Sequence, residues 1–196
     1  MDAFELMRTR RSTRKYKDAP LEDAKLNMII EAGRYAPSGS NSQSTHFIVI
    51  KDRAVLGTLA RLVREQFSLW ETKPGMYRAM AHAITASKSG DYTFHYNAPV
   101  LVVLANKKDY TNNLADCVLA AENMMLMANE LDLGSCYINQ LKWLSENDAI
   151  NDYLISIGMK PDERVYVAVA LGFADTEDGL PAREPLPRKG NPVTVV

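Results

Sequence analysis

The chain is poor in the residues that staple small proteins together or bind metals. Only two cysteines, Cys117 and Cys136, occur in 196 residues, too few for a disulfide framework. Cys117 lies in a helical pattern beside Val118 and Leu119, and Cys136 lies in an apolar run. Both therefore read as small buried hydrophobes rather than nucleophiles. The three histidines, His46, His82 and His95, are far apart and lack metal-ligand spacing, which argues against a zinc site. No stretch approaches the roughly 18 consecutive apolar residues that span a bilayer. No apolar segment follows the N-terminal charges as a secretory signal would require, so a cytoplasmic setting is expected. A net charge of −1 and a pI near 6.3 remove any general attraction to nucleic acid. There is no Gly-x-Gly-x-x-Gly after a strand, no Walker loop and no Gly-x-Ser-x-Gly elbow. Rossmann, P-loop and α/β-hydrolase sites are thereby unsupported.

What is present is the composition of an ordinary globular protein, 46% hydrophobic and 24% charged. We expect one α+β domain over residues 1–196, with no internal repeats and no linker: about four apolar strands in a mostly antiparallel sheet, surrounded by helices. "FELMRTR" reads as a short N-terminal helix, and "LEDAKLNMIIEAGRY" as a second that buries Leu26, Ile29, Ile30 and Gly33. Apolar spacing at Val55, Leu59, Leu62 and Val63 marks a helix over 54–67. Residues 113–131 form the strongest helical signal, with a stripe through Leu114, Val118, Ala121, Met125, Ala128 and Leu131, and Gly134 reads as its stop. Ser145 and Asp148 read as the capping pair of a helix that Gly158 ends. "HFIVIK" (46–51), "PVLVVLA" (99–105), "SCYIN" (135–139) and "RVYVAVALGF" (164–173) read as strands. Residues 68–97 read as irregular, aromatic and suited to a mobile lid. The proline-rich C-terminal tail reads as extended.

Four stretches are unlike scaffold. "RTRRSTRKY" (8–16) gathers Arg8, Arg10, Arg11, Arg14 and Lys15 in a nearly neutral protein. Arg10, Ser12 and Arg14 are spaced to converge on one anion, because an arginine fork matches phosphate oxygens in pairs; a solvated charged face is the alternative. "APSGSNSQ" (36–43) has small residues that let the main chain approach a flat ligand. Its Asn41 and Gln43 amides can both donate and accept; a plain surface turn has the same composition. "LGSCYINQ" (133–140) enters a strand straight from the buried helix, and "PRKG" (187–190) brings Arg188 and Lys189 near the C-terminus. A chain with phosphate- and amide-reading groups, but no nucleophile or metal of its own, points to a borrowed cofactor.

Taken in order, "RRSTR" (10–14), "APSGSNSQ" (36–43), "ENMMLMANELDLGSCYI" (122–138) and "PRK" (187–189) resemble the landmarks of the FMN-dependent nitroreductase family, over nearly the whole chain. The resemblance implies an intertwined homodimer with FMN at the subunit interface and a C-terminal tail reaching the partner. It implies that Arg10, Arg11, Ser12 and Arg14 hold the phosphate and the pyrimidine side of the flavin. Pro37, Ser38, Gly39 and Asn41 would come from the other subunit. Tyr137, Ile138 and Asn139 would line the ring near N5, and Arg188 with Lys189 would close on the phosphate. The chemistry would then belong to FMN, with no catalytic side chain and no metal. NAD(P)H would reduce it, and a nitroaromatic, quinone or enone would reoxidise it in ping-pong fashion. Trp70 and Tyr77 are the candidate acceptor-stacking residues. Two positions depart from the family pattern: Ser44–Thr45 stand where Pro-Trp is frequent, and Gln140 where Gly or Pro is frequent. Reductive dehalogenation on the same fold, a flavin carrier without turnover, and an anion-binding module stay open as rival readings.

Overall fold

Four antiparallel strands form the centre of the protein, described over residues 1–196 by a computed structural model. In chain order the elements are α1 (Ala3–Thr9), α2 (Asp23–Arg34), β1 (His46–Ile50), α3 (Arg53–Ser68), α4 (Arg78–Ser89), β2 (Val100–Lys107), α5 (Asn113–Glu130), β3 (Gly134–Ile138), α6 (Gln140–Trp143), α7 (Asp148–Ser156) and β4 (Glu163–Gly172). The sheet order is β1-β2-β4-β3. The inner strands β2 and β4 are apolar almost without interruption because helices cover both faces of the sheet. Alternation still sorts their side chains. Leu101, Val103, Ala168 and Ala170 join Cys136 and Ile138 in a core closed by α3, α4, α6 and α7. Val100, Val102, Val167 and Val169 point the other way, against α2 and α5. A bulge between Leu104 and Ala105 lets Val165 and Val167 lie on opposite faces.

α5 lies on the second face. Its buried line runs through Cys117, Ala120, Ala121, Met124 and Ala128, about one residue away from the stripe expected from the sequence. Leu114, expected inside, is 44% exposed, as is Leu119. The small residues face the sheet because α5 packs close to it, and that leaves larger ones outside. The helix stop is also different. Asp132 takes the left-handed conformation (φ 63°), and the Leu133 N–H donates to the Ala128 carbonyl at 2.8 Å, a Schellman-type ending. Gly134 serves another purpose: a Cβ there would stand 2.7 Å from Thr13 Cγ2. The cap of α7 is Asn147, whose side chain accepts from the Ile150 N–H at 3.1 Å, rather than Ser145.

Residues 68–97 are not irregular throughout. They contain α4, ended by Gly90 at φ 89°. Its buried face is Ala83, Ile84 and Ser87, too small to register as a large-residue period. The flanking aromatics Tyr92 and Phe94 are buried in the first core, so much of the supposed lid is wall. The tail from 181 onward has no regular secondary structure. No helix is long and apolar enough to cross a membrane.

Candidate functional site

Backbone pairing carries the basic segment along the outer edge of the sheet. The Thr13 N–H donates to the Ser135 carbonyl at 2.8 Å, in a parallel bridge between Ser12 and Ser135. Further along, Lys17 N–H donates to Phe173 and Asp175 N–H to Lys15. The Thr13 contact covers the start of the β3 edge, which would otherwise be an open template, and the other two hold the chain just after β4. Tyr16 locks the turn by donating to the Thr13 carbonyl at 2.8 Å; its burial raises its pKa, so the hydroxyl stays protonated. The close approach at Thr13 requires Gly134.

The side chains of this segment are largely uncommitted. Arg8 pairs with Glu5 inside α1 at 2.7 Å. Arg10 has only a long contact to Glu122, 3.6 Å. Arg11 donates to the Glu184 carbonyl at 2.6 Å and has no carboxylate partner. Neither Arg14 nor Lys15 forms an ion pair; Arg14 sits over the Tyr96 ring at 5.9 Å. Beneath them is Cys136, whose thiol is pushed up by burial against the pull of Arg14, Ser12 and Arg10. A neutral thiol leaves the local charge positive. Tyr137 is half-buried, Ile138 buried and Asn139 half-buried at the start of α6, so this strand follows the cations at its opening end and the α6 turn at its other.

The serine loop is built the opposite way, with its polar groups spent on its own shape. Asp116, 3% exposed in the first turn of α5, accepts from the Gly39 N–H at 3.1 Å and from the Tyr110 hydroxyl at 3.0 Å. Tyr110 lies 3.1 Å from the Ser42 hydroxyl. Gln43 N–H donates to the Ser38 hydroxyl at 3.0 Å, and the Gln43 amide to Asn41 at 3.1 Å. Ser40, Asn41 and Gln43 all hold positive φ, an uncommon run outside glycine that local bonds sustain. Pro37 and Ser38 line a cavity with Gly33, Phe47 and Asp116.

Within one chain these two groups do not meet. The basic segment leaves α1 at Thr9, whose hydroxyl accepts from Asn129 in the last turn of α5, and the serine loop is tied to Asp116 in the first turn. At 1.5 Å rise per residue those anchor points are about 20 Å apart. Arg14 lines a different cavity, with Lys15, Tyr96 and Asn97. Arg188 and Lys189 are exposed and make no hydrogen bond or ion pair. It is Arg183 that ties the tail down, with an ion pair to Asp132 at 2.6 Å. Trp70 packs edge-on against Phe67 at 5.2 Å, on the core. Tyr77 is 63% exposed, edge-on to Trp143 at 6.0 Å. Asp116, Tyr110 and Arg183 carry the local architecture without having stood out in the sequence, because a lone Asp in a helix and a lone Tyr before it have no motif. Gln140 is buried and donates to the Tyr92 hydroxyl at 2.5 Å, linking the former lid segment to the turn after β3.

Comparison with known proteins gives one consistent answer. The family model of the nitroreductase family matches residues 7–173. A nitroreductase from Bacteroides fragilis, solved with bound FMN, is 32% identical and superposes with a TM-score of 0.87, covering 100% of this chain and 99% of that one. A second FMN-bound nitroreductase, from Desulfitobacterium hafniense, has a TM-score of 0.81 at 20% identity over 98% of this chain and 97% of that one, and bears on the fold alone. A curated relative from Archaeoglobus fulgidus, provisionally named NADH dehydrogenase/NAD(P)H nitroreductase, is 27% identical over 176 residues, 90% of this chain and 87% of its own length.

Proposed function

The chain belongs to the nitroreductase family, and from that premise we propose that it is an FMN-dependent oxidoreductase working as a homodimer. The observation that carries this reading is the set of cations on the β3 edge: Arg11, Arg14 and Lys15 have no carboxylate partner and Arg10 only a long one. Cations held together by backbone pairing, without counter-charge, suit a phosphate monoester. Arg10, Arg11 and Ser12 would hold that phosphate, and Arg14 would face the pyrimidine edge. Tyr137, Ile138 and Asn139 would line the ring. When bound, FMN supplies two-electron chemistry, accepting a hydride from NAD(P)H and passing it to a nitroaromatic, quinone or enone.

A second copy completes the site. Pro37, Ser38 and Asn41 line cavities other than that of Arg14, so with Gly39 they would serve the partner's cations. The outer sides of α1, α2 and α5 expose Phe4 (75%), Met7, Met28 and Leu119, large apolar residues that a second copy would cover. The tail, with Arg188, Lys189 and the exposed valines 193, 195 and 196, would reach across and close on the phosphate. The side chains then bind, orient and exclude water; Arg14 offsets negative charge at the pyrimidine, and Tyr77 offers an exposed ring to an acceptor. We read residues 1–196 as one domain and the setting as cytoplasmic.

Purified protein is expected to be yellow and to release FMN on denaturation. Its colour should bleach with NADH or NADPH and return with a quinone or nitroaromatic. Release of FAD, or of no flavin, overturns the reading; a flavin-loaded monomer at micromolar concentration overturns the shared site.

A further inference from the structure

A second cleft lies on the opposite side of the 93–97 turn from Arg14, between that turn and α3. Thr93 and Asn97 line both cavities and so form the wall between them. The α3 side is lined by Arg53, Gly57, Arg64 and His95, and by no carboxylate. Three features mark it as built. Arg64 is half-buried, yet forms no ion pair and no hydrogen bond. His95 is 5% exposed, and its Nδ1 has no hydrogen-bond partner, which is uncommon for a buried polar atom. Gly57 stands mid-helix, where glycine is disfavoured, and a Cβ there would meet nothing within 4 Å; its absence widens the cleft.

The turn that presents these groups is itself constrained. Tyr96 and Asn97 both hold positive φ, 56° and 57°. They are kept there by the Tyr96 N–H to Thr93 bond at 3.0 Å and the Ala98 N–H to His95 bond at 3.1 Å. Strain of this kind persists only where surrounding structure enforces it. Of the acids nearby, Asp91 lines the Arg14 cavity on the other side of the wall. Asp52 caps α3, accepting from the Ala54 and Val55 N–H groups at 2.8 and 3.0 Å. Asp18 pairs with Arg53 at an exposed position, a contact weak enough for Arg53 to leave.

We propose that this cleft is a second anion site, separate from the flavin, that takes a phosphate group on Arg64, Arg53 and His95. A planar carboxylate would satisfy one arginine fork. Donors arriving from α3 on one side, and from Thr93, His95 and Asn97 on the other, suit a tetrahedral group with oxygens in several directions. Without a ligand, burial lowers His95 to about 4, so its ring is neutral near pH 7; a bound anion would favour the protonated, doubly donating form. The group could belong to free phosphate or to a phosphate monoester.

The test uses flavin-loaded protein, so that the proposed flavin phosphate position is filled, and follows the His95 ring signals by NMR. With only three histidines, the His95→Gln variant assigns them. Sodium phosphate, titrated at constant ionic strength against sodium chloride, should move the His95 signals saturably. Arg64→Gln should weaken the response on the order of tenfold. Gly57→Leu, which changes no charge, should block it while the visible spectrum of the flavin stays as in the parent. Ribose 5-phosphate saturating at lower concentration than phosphate would assign a monoester; equal or weaker binding would assign the free ion. A His95 response no larger than that to chloride, or one unchanged in both variants, overturns the proposal. Because the readout is local to His95, a colourless preparation would refute the flavin reading and leave this measurement intact.

Discussion

The basic segment and the serine loop are both short, polar and irregular, yet they are built on opposite principles. Residues 12–17 are positioned by main-chain bonds to β3 and to the chain after β4, which leaves the Arg14 and Lys15 side chains without an ion pair. Residues 36–44 spend their side chains on one another and on Asp116, leaving the backbone and a few hydroxyls to face outward. The first region is organised to supply charge, the second to supply shape. The difference is also what the proposed shared site rests on. The two regions are anchored at opposite ends of α5, and under the proposed dimer the charge of one chain would complement the shape of the other.

The largest test of this contrast removes charge. Arg10→Ala combined with Arg14→Ala should weaken FMN retention by about 3–6 kcal/mol, two charge-assisted contacts at about 1.5–3 each. Stability should change little, because neither side chain holds the segment in place. Flavin content after gel filtration, compared with the urea midpoint, checks both halves; an unfolded variant that never bound flavin would show that the cations are structural. Asp116→Ala should do the reverse. It strands the Gly39 N–H and leaves the Tyr110 hydroxyl only Ser42 and the Gly39 carbonyl, costing about 1–3 kcal/mol in urea unfolding. Flavin loss should follow only as the loop loosens, and a variant of unchanged stability would show that the loop does not depend on this anchor.

Two glycines sharpen the comparison. A methyl group at Gly134 would stand 2.7–2.8 Å from Thr13 side-chain atoms, on a segment pinned by backbone bonds, so Gly134→Ala should cost about 2 kcal/mol and displace the arginines. At Gly39 a Cβ would meet the amide end of Asn112, exposed and able to turn away, and the Tyr110 hydroxyl at 2.6 Å, the far end of a side chain rather than a segment pinned by backbone bonds, so Gly39→Ala should cost less, about 1 kcal/mol, by pushing that hydroxyl off Asp116. Equal costs, read from thermal unfolding of both variants, would erase the distinction. The smallest effect is expected at Tyr77. An aromatic platform is worth about 0.5–1.5 kcal/mol beyond its area, so Tyr77→Ala should lower kcat/KM for an acceptor several-fold at unchanged flavin content. Trp70→Ala should instead lower stability, since its ring packs against Phe67. If Trp70→Ala alone altered acceptor kinetics, the two residues would have to exchange roles.

The sequence by itself determined the four strands, α2, α3, the position of α5 and the two polar segments, because each rests on local composition: continuous apolar runs, helical spacing, a cluster of one charge sign. It also carried the family resemblance, since four landmarks in register survive without knowledge of contacts. Tertiary structure alone decided the rest. α4 buries Ala83 and Ser87 beside Ile84, and their small size hides the period. Asp132 rather than Gly134 ends α5, because Gly134 is taken up by the approach of Thr13. Tyr92 and Phe94 became core and Tyr77 stayed outside, although all three read alike in an aromatic stretch. The anchoring of the serine loop by Asp116, 77 residues away from Gly39, depends on which helix end lies beside which loop. That is set by the packing of α2 and α5 on one face of the sheet, and no local pattern encodes it.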